Sequence, residues 1–158
     1  MTANGVTLGD GRAAVGAVRP AGGQLRRLGL AGVAKPVARS RSFTARALAD
    51  WFGPLEPVEP FGPEASAPTG QDVVLLVAEL VANALMHAGG ALELALHARP
   101  GTLRIEVSDG SPVLPALRLP HLPGTPGGHG LVIVERASCR WGAETHELGK
   151  TVWAEVRL

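Results

Sequence analysis

Apolar residues recur at helical spacing in two stretches of the chain. In the first stretch, residues 36–52, the residues that share one face are Val37, Phe43, Ala47, Leu48 and Trp51. The proline-rich segment 53–70 that follows is typical of a loop. Thr69 then has the side chain of a helix cap, and the second stretch extends to about Ala88, just before two glycines. The pattern predicts two helices separated by a loop.

Alternation of apolar and polar residues predicts strands on either side of these helices. We expect a first strand over 24–30, a hairpin over 91–98 and 102–109, and a closing pair over 140–147 and 150–158. A Pro-Gly turn joins the two hairpin strands. The hairpin residues expected to face the core are Leu92, Leu94, Leu96, Leu103, Ile105 and Val107.

A glycine- and proline-rich segment, 110–128, separates the hairpin from a short helix predicted over 130–139. A stretch of that length without regular structure is often a functional lid. The order of elements favours an α+β fold, a two-layer α/β sandwich with helices on one face of a mixed, mostly antiparallel sheet. Residues 1–23 show no sustained period, so we expect a flexible leader followed by one domain over 24–158.

Composition narrows the class of protein. Of the 158 residues, 46% are hydrophobic, which is enough for a sizeable core and excludes a wholly disordered chain. The net charge of +1 predicts no nucleic-acid-binding face. The lone cysteine, Cys139, excludes an internal disulfide and a cysteine-based zinc cluster. The sequence has neither a signal peptide nor a run of about 18 apolar residues, so we expect a cytoplasmic protein without a membrane span.

The second predicted helix carries a narrow arc of polar residues. On a helical wheel these residues fall within about 80° of one another: Asp72, Glu79, Asn83 and His87. Most of the remaining circumference is Val, Leu, Ala and Met, which predicts a buried helix whose polar arc lines a pocket.

Glu79 and Asn83 are four residues apart, so both side chains can reach one point. A carboxylate and an amide oxygen suit Mg²⁺, which binds few protein ligands and keeps most of its waters. The carboxylate could also take a proton from an attacking hydroxyl group. Pairing of both residues with backbone groups or arginines is the alternative, and the sequence leaves the two open.

The end of the second hairpin strand places a carboxylate toward the core. Alternation sets Asp109 on the same face as Ile105 and Val107. A buried carboxylate needs a hydrogen-bond donor. The amino group of a ligand base would serve, and so would the backbone amides of an Asx-type turn.

Glycines open the last predicted helix. Gly127, Gly128 and Gly130 would let an anion approach the amides of the helix N-terminus, where the helix dipole favours negative charge. Because glycine is also common at loop-to-helix junctions that bind nothing, this motif alone is weak support for a phosphate site.

Four motifs follow one another along the chain: ELVANALMHA (79–88), DGSPVLP (109–115), GGHGLVIVERASCRWG (127–142) and GKTVWAEV (149–156). They resemble, in this order, the N box, the G1 box, the G2 box and the last strand of the GHKL (Bergerat-fold) ATPases. Within that superfamily the chain looks most similar to the anti-sigma-factor serine kinases. The resemblance covers about residues 24–158, and it implies ATP binding between helices and sheet under a mobile lid.

The resemblance implies roles for residues at what we call the phosphate end of the site, formed by Glu79, Asn83 and the start of the last helix. Asn83 would bind Mg²⁺, Glu79 would act as general base or position a water, and His87 would line the pocket. The phosphate contacts would come from Gly128, His129, Gly130 and Leu131. His129 stands where many relatives have Arg, a change that would weaken charge stabilisation.

The resemblance also implies a base end, formed by Asp109 and Gly110. Asp109 would accept a hydrogen bond from the adenine amino group with help from Thr151, and Gly110 would let the base lie close. The alternation of the last strand conflicts with one part of this expectation. It places Thr151 opposite the face that carries Val152 and Val156.

Two functions are compatible with these motifs. The first is a Mg-ATP-dependent serine/threonine protein kinase that phosphorylates a STAS-type anti-anti-sigma partner, and intact Glu79 and Asn83 favour it. The second is a nucleotide-gated partner-switching module that binds a sigma factor or a STAS protein with little or no kinase activity, and the altered lid residue His129 favours it. The resemblance further implies that the chain could form a homodimer.

Overall fold

The structure, a computed structural model, describes residues 22–54, 68–115 and 129–158, and only the backbone of 129–132. Most of the predicted leader, up to residue 21, and residues 116–128 of the predicted lid, with Gly128 among them, lie outside the described residues.

Five strands and three helices form an α+β fold in the described part of the chain. In chain order they are β1 (Gln24–Gly29), α1 (Pro36–Phe52), α2 (Gly70–Ala88), β2 (Ala91–Arg99), β3 (Thr102–Asp109), α3 (His129–Ala137), β4 (Arg140–His146) and β5 (Gly149–Arg157). The predicted elements are confirmed in type and order, and their ends differ by no more than two residues.

The sheet has the strand order β1-β2-β3-β5-β4, and every neighbouring pair is antiparallel. The predicted mixed sheet is therefore wrong for the described strands. After β3 the chain passes through α3 before β4 begins, and β4 runs parallel to β3 without pairing with it. The β4–β5 hairpin then places β5 between them, and β5 is antiparallel to both.

One hydrophobic core lies between the helices and one face of the sheet. Its largest fully buried side chains are Leu48, Leu76, Leu94, Leu96, Leu103, Ile105, Val73, Val77, Val81, Val107, Val134 and Val156. The prediction that Leu92 joins them is wrong, because Leu92 is 39% exposed. A register shift between Ala91 and Glu93 explains this, since such a bulge reverses the alternation and turns Ala91 inward instead.

The predicted burial of α2 on all sides is also wrong. The residues Leu75, Leu85 and Met86 are 45%, 41% and 59% exposed. The three helices form a single layer, so the side of α2 away from the sheet and from α1 and α3 has no layer above it among the described residues. By length and composition alone α2 is also the one described helix that could cross a membrane, a criterion that core helices of folded domains meet as well.

The sheet face opposite the helices carries a row of alternating charges. Glu155 accepts hydrogen bonds from Arg140 at 2.6 Å and from Arg104 at 3.2 Å, and Arg104 also donates to Glu106 at 2.7 Å. The Arg104 guanidinium lies 4.2 Å from the ring centroid of Trp153. Burial alone would raise the pKa of Glu155, but the hydrogen bonds and charges of Arg140 and Arg104 outweigh it and lower this pKa below its ordinary value of 4.5.

We expect Glu155→Gln to destabilise the fold in a pH-dependent way. Because the pKa of Glu155 is lower in the folded state, its contribution is complete above about pH 4.5 and is lost as the pH falls through the folded value. At pH 7 the substitution should lower the free energy of unfolding by about 1–3 kcal/mol, since two guanidinium groups lose a charged acceptor. Urea denaturation from pH 7 to pH 3 would measure this, and the difference from wild type should shrink on acidification.

The matched control is Glu144→Gln, because Glu144 is an exposed carboxylate on the neighbouring strand and has no ion pair within the described residues. It should change the free energy of unfolding by less than about 0.5 kcal/mol. A deficit in Glu155→Gln that is equally large at pH 7 and pH 3 would contradict the assignment.

Candidate functional site

The first polar residue of the α2 arc belongs to the helix cap. The Asp72 carboxylate accepts hydrogen bonds from the backbone N–H and the hydroxyl of Thr69, both at 2.8 Å, and the Thr69 hydroxyl accepts one from the Asp72 N–H at 3.2 Å. This reciprocal pair is a capping box, so the predicted cap at Thr69 is confirmed. Asp72 is thereby used for helix stability and not for a ligand.

The next polar residues of α2 are placed differently. Glu79 and Asn83 are half-buried, one helical turn apart, and His87 is exposed near the end of the helix. Within residues 22–54, 68–115 and 133–158, neither Glu79 nor Asn83 makes a side-chain hydrogen bond or an ion pair. The alternative that they pair with arginines or backbone is therefore not seen in this part of the chain.

The Glu79–Asn83 pair can supply the one or two protein ligands that a magnesium site typically has. Nowhere in the described residues do three or more His, Cys, Asp or Glu side chains come close enough to hold a metal. An ion at this pair would therefore take most of its ligands from phosphate oxygens and water, which is the arrangement that Mg²⁺ favours.

The third helix, α3, packs against the helix that carries this pair. The helix begins at His129, includes Gly130 and Leu131, and packs against α2 through the fully buried Val134. The backbone amides of a helix first turn are donors without partners inside the helix. These three residues are thus at a helix N-terminus, as the phosphate-binding expectation requires.

Asp109 lies at the end of β3 on the side that faces the helices, as alternation predicts. It is 2% exposed. Its Oδ1 accepts a hydrogen bond from the Ser111 backbone N–H at 2.9 Å, which is the Asx-type turn considered above. A second partner was not singled out from the sequence: Lys150 Nζ lies 3.0 Å from Oδ1 and 2.9 Å from Oδ2.

Lys150 is itself buried, with 5% of its side chain exposed. Its ammonium also donates to the Ser111 carbonyl oxygen at 3.3 Å. An ammonium has three protons, and here it faces three acceptors on two residues. Alternation along β5 is the feature of the sequence that could have indicated this buried lysine. It places Lys150 on the same face as the buried Val152 and Ala154, where a lysine is unusual.

A glycine brings the two charged residues together. Gly149 has φ 143°, and a Cβ there would lie 2.1 Å from the Asp109 carbonyl oxygen and 2.8 Å from the Gly110 Cα. Only a residue without a side chain permits this approach of β5 to the end of β3. The register then pairs Asp109 with Lys150 directly across the two strands.

The other two base-end residues are placed differently from each other. A Cβ on Gly110 would meet only the Leu148 carbonyl oxygen, at 4.0 Å, so the described structure leaves open space there. Thr151 lies on the opposite face of the sheet, where its hydroxyl pairs with Ser108 at 2.9 Å and with His146 at 3.2 Å. The expected help of Thr151 at Asp109 is therefore corrected, because the β3–β5 register continues without a bulge and keeps the two side chains on opposite faces.

The two ends of the expected ATP site thus differ. The phosphate end offers a carboxylate and an amide one turn apart on α2, a helix that packs against α3. At the base end the acceptor expected for adenine already holds a buried ammonium. A scan against protein-family models finds no match, and a search of curated proteins finds no similar sequence.

We expect Gly149→Ala to lower the free energy of unfolding by about 3 kcal/mol or more, through backbone strain at a positive φ and overlap with the end of β3. Urea denaturation followed by circular dichroism would measure it. Gly110→Ala is the control, because its added methyl has room, and it should change stability by less than about 0.5 kcal/mol. Near-wild-type stability of Gly149→Ala would show that the close approach of the two strands is not required.

Proposed function

We propose that the chain is a Mg-ATP-binding regulatory protein of the GHKL type, and that it acts as a serine/threonine protein kinase on a STAS-type anti-anti-sigma partner in the cytoplasm. The observation that carries the proposal is the half-buried Glu79–Asn83 pair, which lies one turn apart on α2 and has no polar partner among the described residues. The α+β architecture, with helices on one face of an antiparallel sheet, supports it at a coarser level.

The chemistry follows from the placement of these residues. The Asn83 amide oxygen is a suitable ligand for Mg²⁺, which supplies charge neutralisation on the phosphoryl group when bound. Glu79 would accept the proton of a serine hydroxyl presented by the partner. Backbone amides at the start of α3, in His129, Gly130 and Leu131, would contribute fixed donors to the phosphate oxygens.

A second candidate has its own support. In a nucleotide-gated partner-switching module with little or no kinase activity, the chain would bind a sigma factor or a STAS protein mainly through surface contacts. Exposed apolar side chains on α2 and just after β3 favour this candidate: Leu75, Leu85, Met86, Val113 and Leu114. Large apolar side chains left exposed to solvent can contribute to a protein-binding surface. The buried Lys150–Asp109 pair favours it too, because it occupies the acceptor that adenine would need.

We expect Asn83→Ala to weaken binding of ATP by at least tenfold in the presence of Mg²⁺ and to abolish the dependence of affinity on Mg²⁺, because the amide ligand is lost. Isothermal titration of the full chain with ATP and ADP, with and without Mg²⁺, would measure this. Gln71→Ala is the control, since Gln71 is an exposed residue of the same helix. Absence of Mg-dependent binding to the wild-type chain would overturn the nucleotide-binding proposal.

We expect Glu79→Gln to keep the affinity for Mg-ATP within about threefold while phosphotransfer to a STAS-domain protein falls by about 10²–10⁴-fold, since the general base is removed. Transfer of labelled γ-phosphate to purified STAS-domain proteins of the same organism is the assay, again with Gln71→Ala as control. A wild-type chain that binds Mg-ATP and a STAS protein but transfers no phosphate would favour the partner-switching module instead.

A further inference from the structure

The buried Lys150–Asp109 pair leaves little bonding capacity at the base end of the site. The three protons of the Lys150 ammonium face Asp109 Oδ1, Asp109 Oδ2 and the Ser111 carbonyl oxygen. Oδ1 also accepts the Ser111 N–H. With 5% of the Lys150 side chain and 3% of the Asp109 side chain exposed, neither group is presented to solvent.

We propose that Lys150 determines the base specificity of this chain, by holding Asp109 so that it cannot accept a hydrogen bond from adenine. Nucleoside triphosphates then bind through their phosphates and Mg²⁺, and adenine is not selected over guanine. This inference rests on the proposed nucleotide-binding function and deepens it.

The argument is one of donors and acceptors. The amino group of adenine is a donor, and it would approach a carboxylate that is already covered by another donor carrying a full positive charge. Admitting adenine would require the ammonium to leave Asp109, and an unpaired charge in a buried position is strongly unfavourable. The pair therefore persists in preference to a neutral hydrogen bond from a base.

The backbone fixes the position of Lys150 relative to Asp109. Gly149 lies too close to Asp109 and Gly110 for a side chain to fit, and the antiparallel register sets Lys150 and Asp109 directly opposite each other. The nearest hydroxyl on the same strand, that of Thr151, is on the other face of the sheet and is bonded to Ser108. No described side chain of β5 is placed to take over recognition of adenine.

The first test needs no substitution. Calorimetric titration of the full wild-type chain with Mg-ATP and Mg-GTP should give dissociation constants within threefold of each other. A tenfold or greater preference for ATP would overturn the inference while leaving the proposed function intact.

Substitution of Lys150 supplies the reciprocal test. Lys150→Thr should strengthen ATP binding at least tenfold and change GTP binding less than threefold, and the additional change Asp109→Asn should remove the gain. Lys35→Asn is the matched control, because Lys35 is the other lysine of the chain and is exposed.

If the wild-type chain binds neither nucleotide, the proposed function fails for it. The inference then holds only if Lys150→Thr acquires Asp109-dependent ATP binding, and it is overturned if it does not.

A measurement independent of affinity uses the small number of lysines. Acylation by an amine-reactive ester, read by mass spectrometry, should modify the exposed Lys35 and leave Lys150 protected. Addition of Mg-ATP should not change this protection. Labelling of Lys150 that rises with Mg-ATP, but not with Mg-GTP, would mean that adenine displaces the ammonium, and it would overturn the inference even if Lys150→Thr failed to fold.

Discussion

The apolar side of α2 packs against β2 and β3, and the positions of Glu79, Asn83 and Asp109 depend on this contact. The fully buried residues Leu76 and Val77 belong to the same core as Leu94 and Ile105 of the sheet. Because the apolar side of α2 is packed against the sheet, Glu79 and Asn83 lie at the half-buried edge of the helix. The same contact makes the helix-facing side of β3 the inner one, and the carboxylate of Asp109 is buried in consequence.

The close approach of β5 to β3 is the second constraint. Gly149 allows it, and it brings two opposite charges together in the interior, where each would be strongly unfavourable alone. A carboxylate that a ligand could use is thereby converted into part of an internal ion pair. The phosphate end and the base end of one site can thus have different chemistry, because one is carried by a helix margin and the other by two strand ends.

The opposite face of the sheet has a separate role in stability. Arg104 and Arg140 pair there with Glu155, Arg104 also pairs with Glu106, and the ring of Trp153 covers the guanidinium of Arg104. Gly142 lies across from Trp153, and a Cβ on it would come within 2.8 Å of the ring. This face is filled by its own side chains, and it leaves the helix-facing side of the fold as the location of the candidate site.

Local patterns in the sequence were enough to predict α1 and β3 to the residue, the cap at Thr69 and the inward direction of Asp109. These features depend on spacing, turn chemistry and capping within a few neighbouring residues. The pairing of Asp109 with Lys150 joins residues 41 positions apart, and only the order of strands decides it. The exposure of Leu92 depends on a bulge, and that of Met86 on the number of layers above α2. The sequence therefore determined which elements form and which way most residues point. The tertiary structure decided which distant side chains meet, because contact between them depends on strand order and register that no local pattern records.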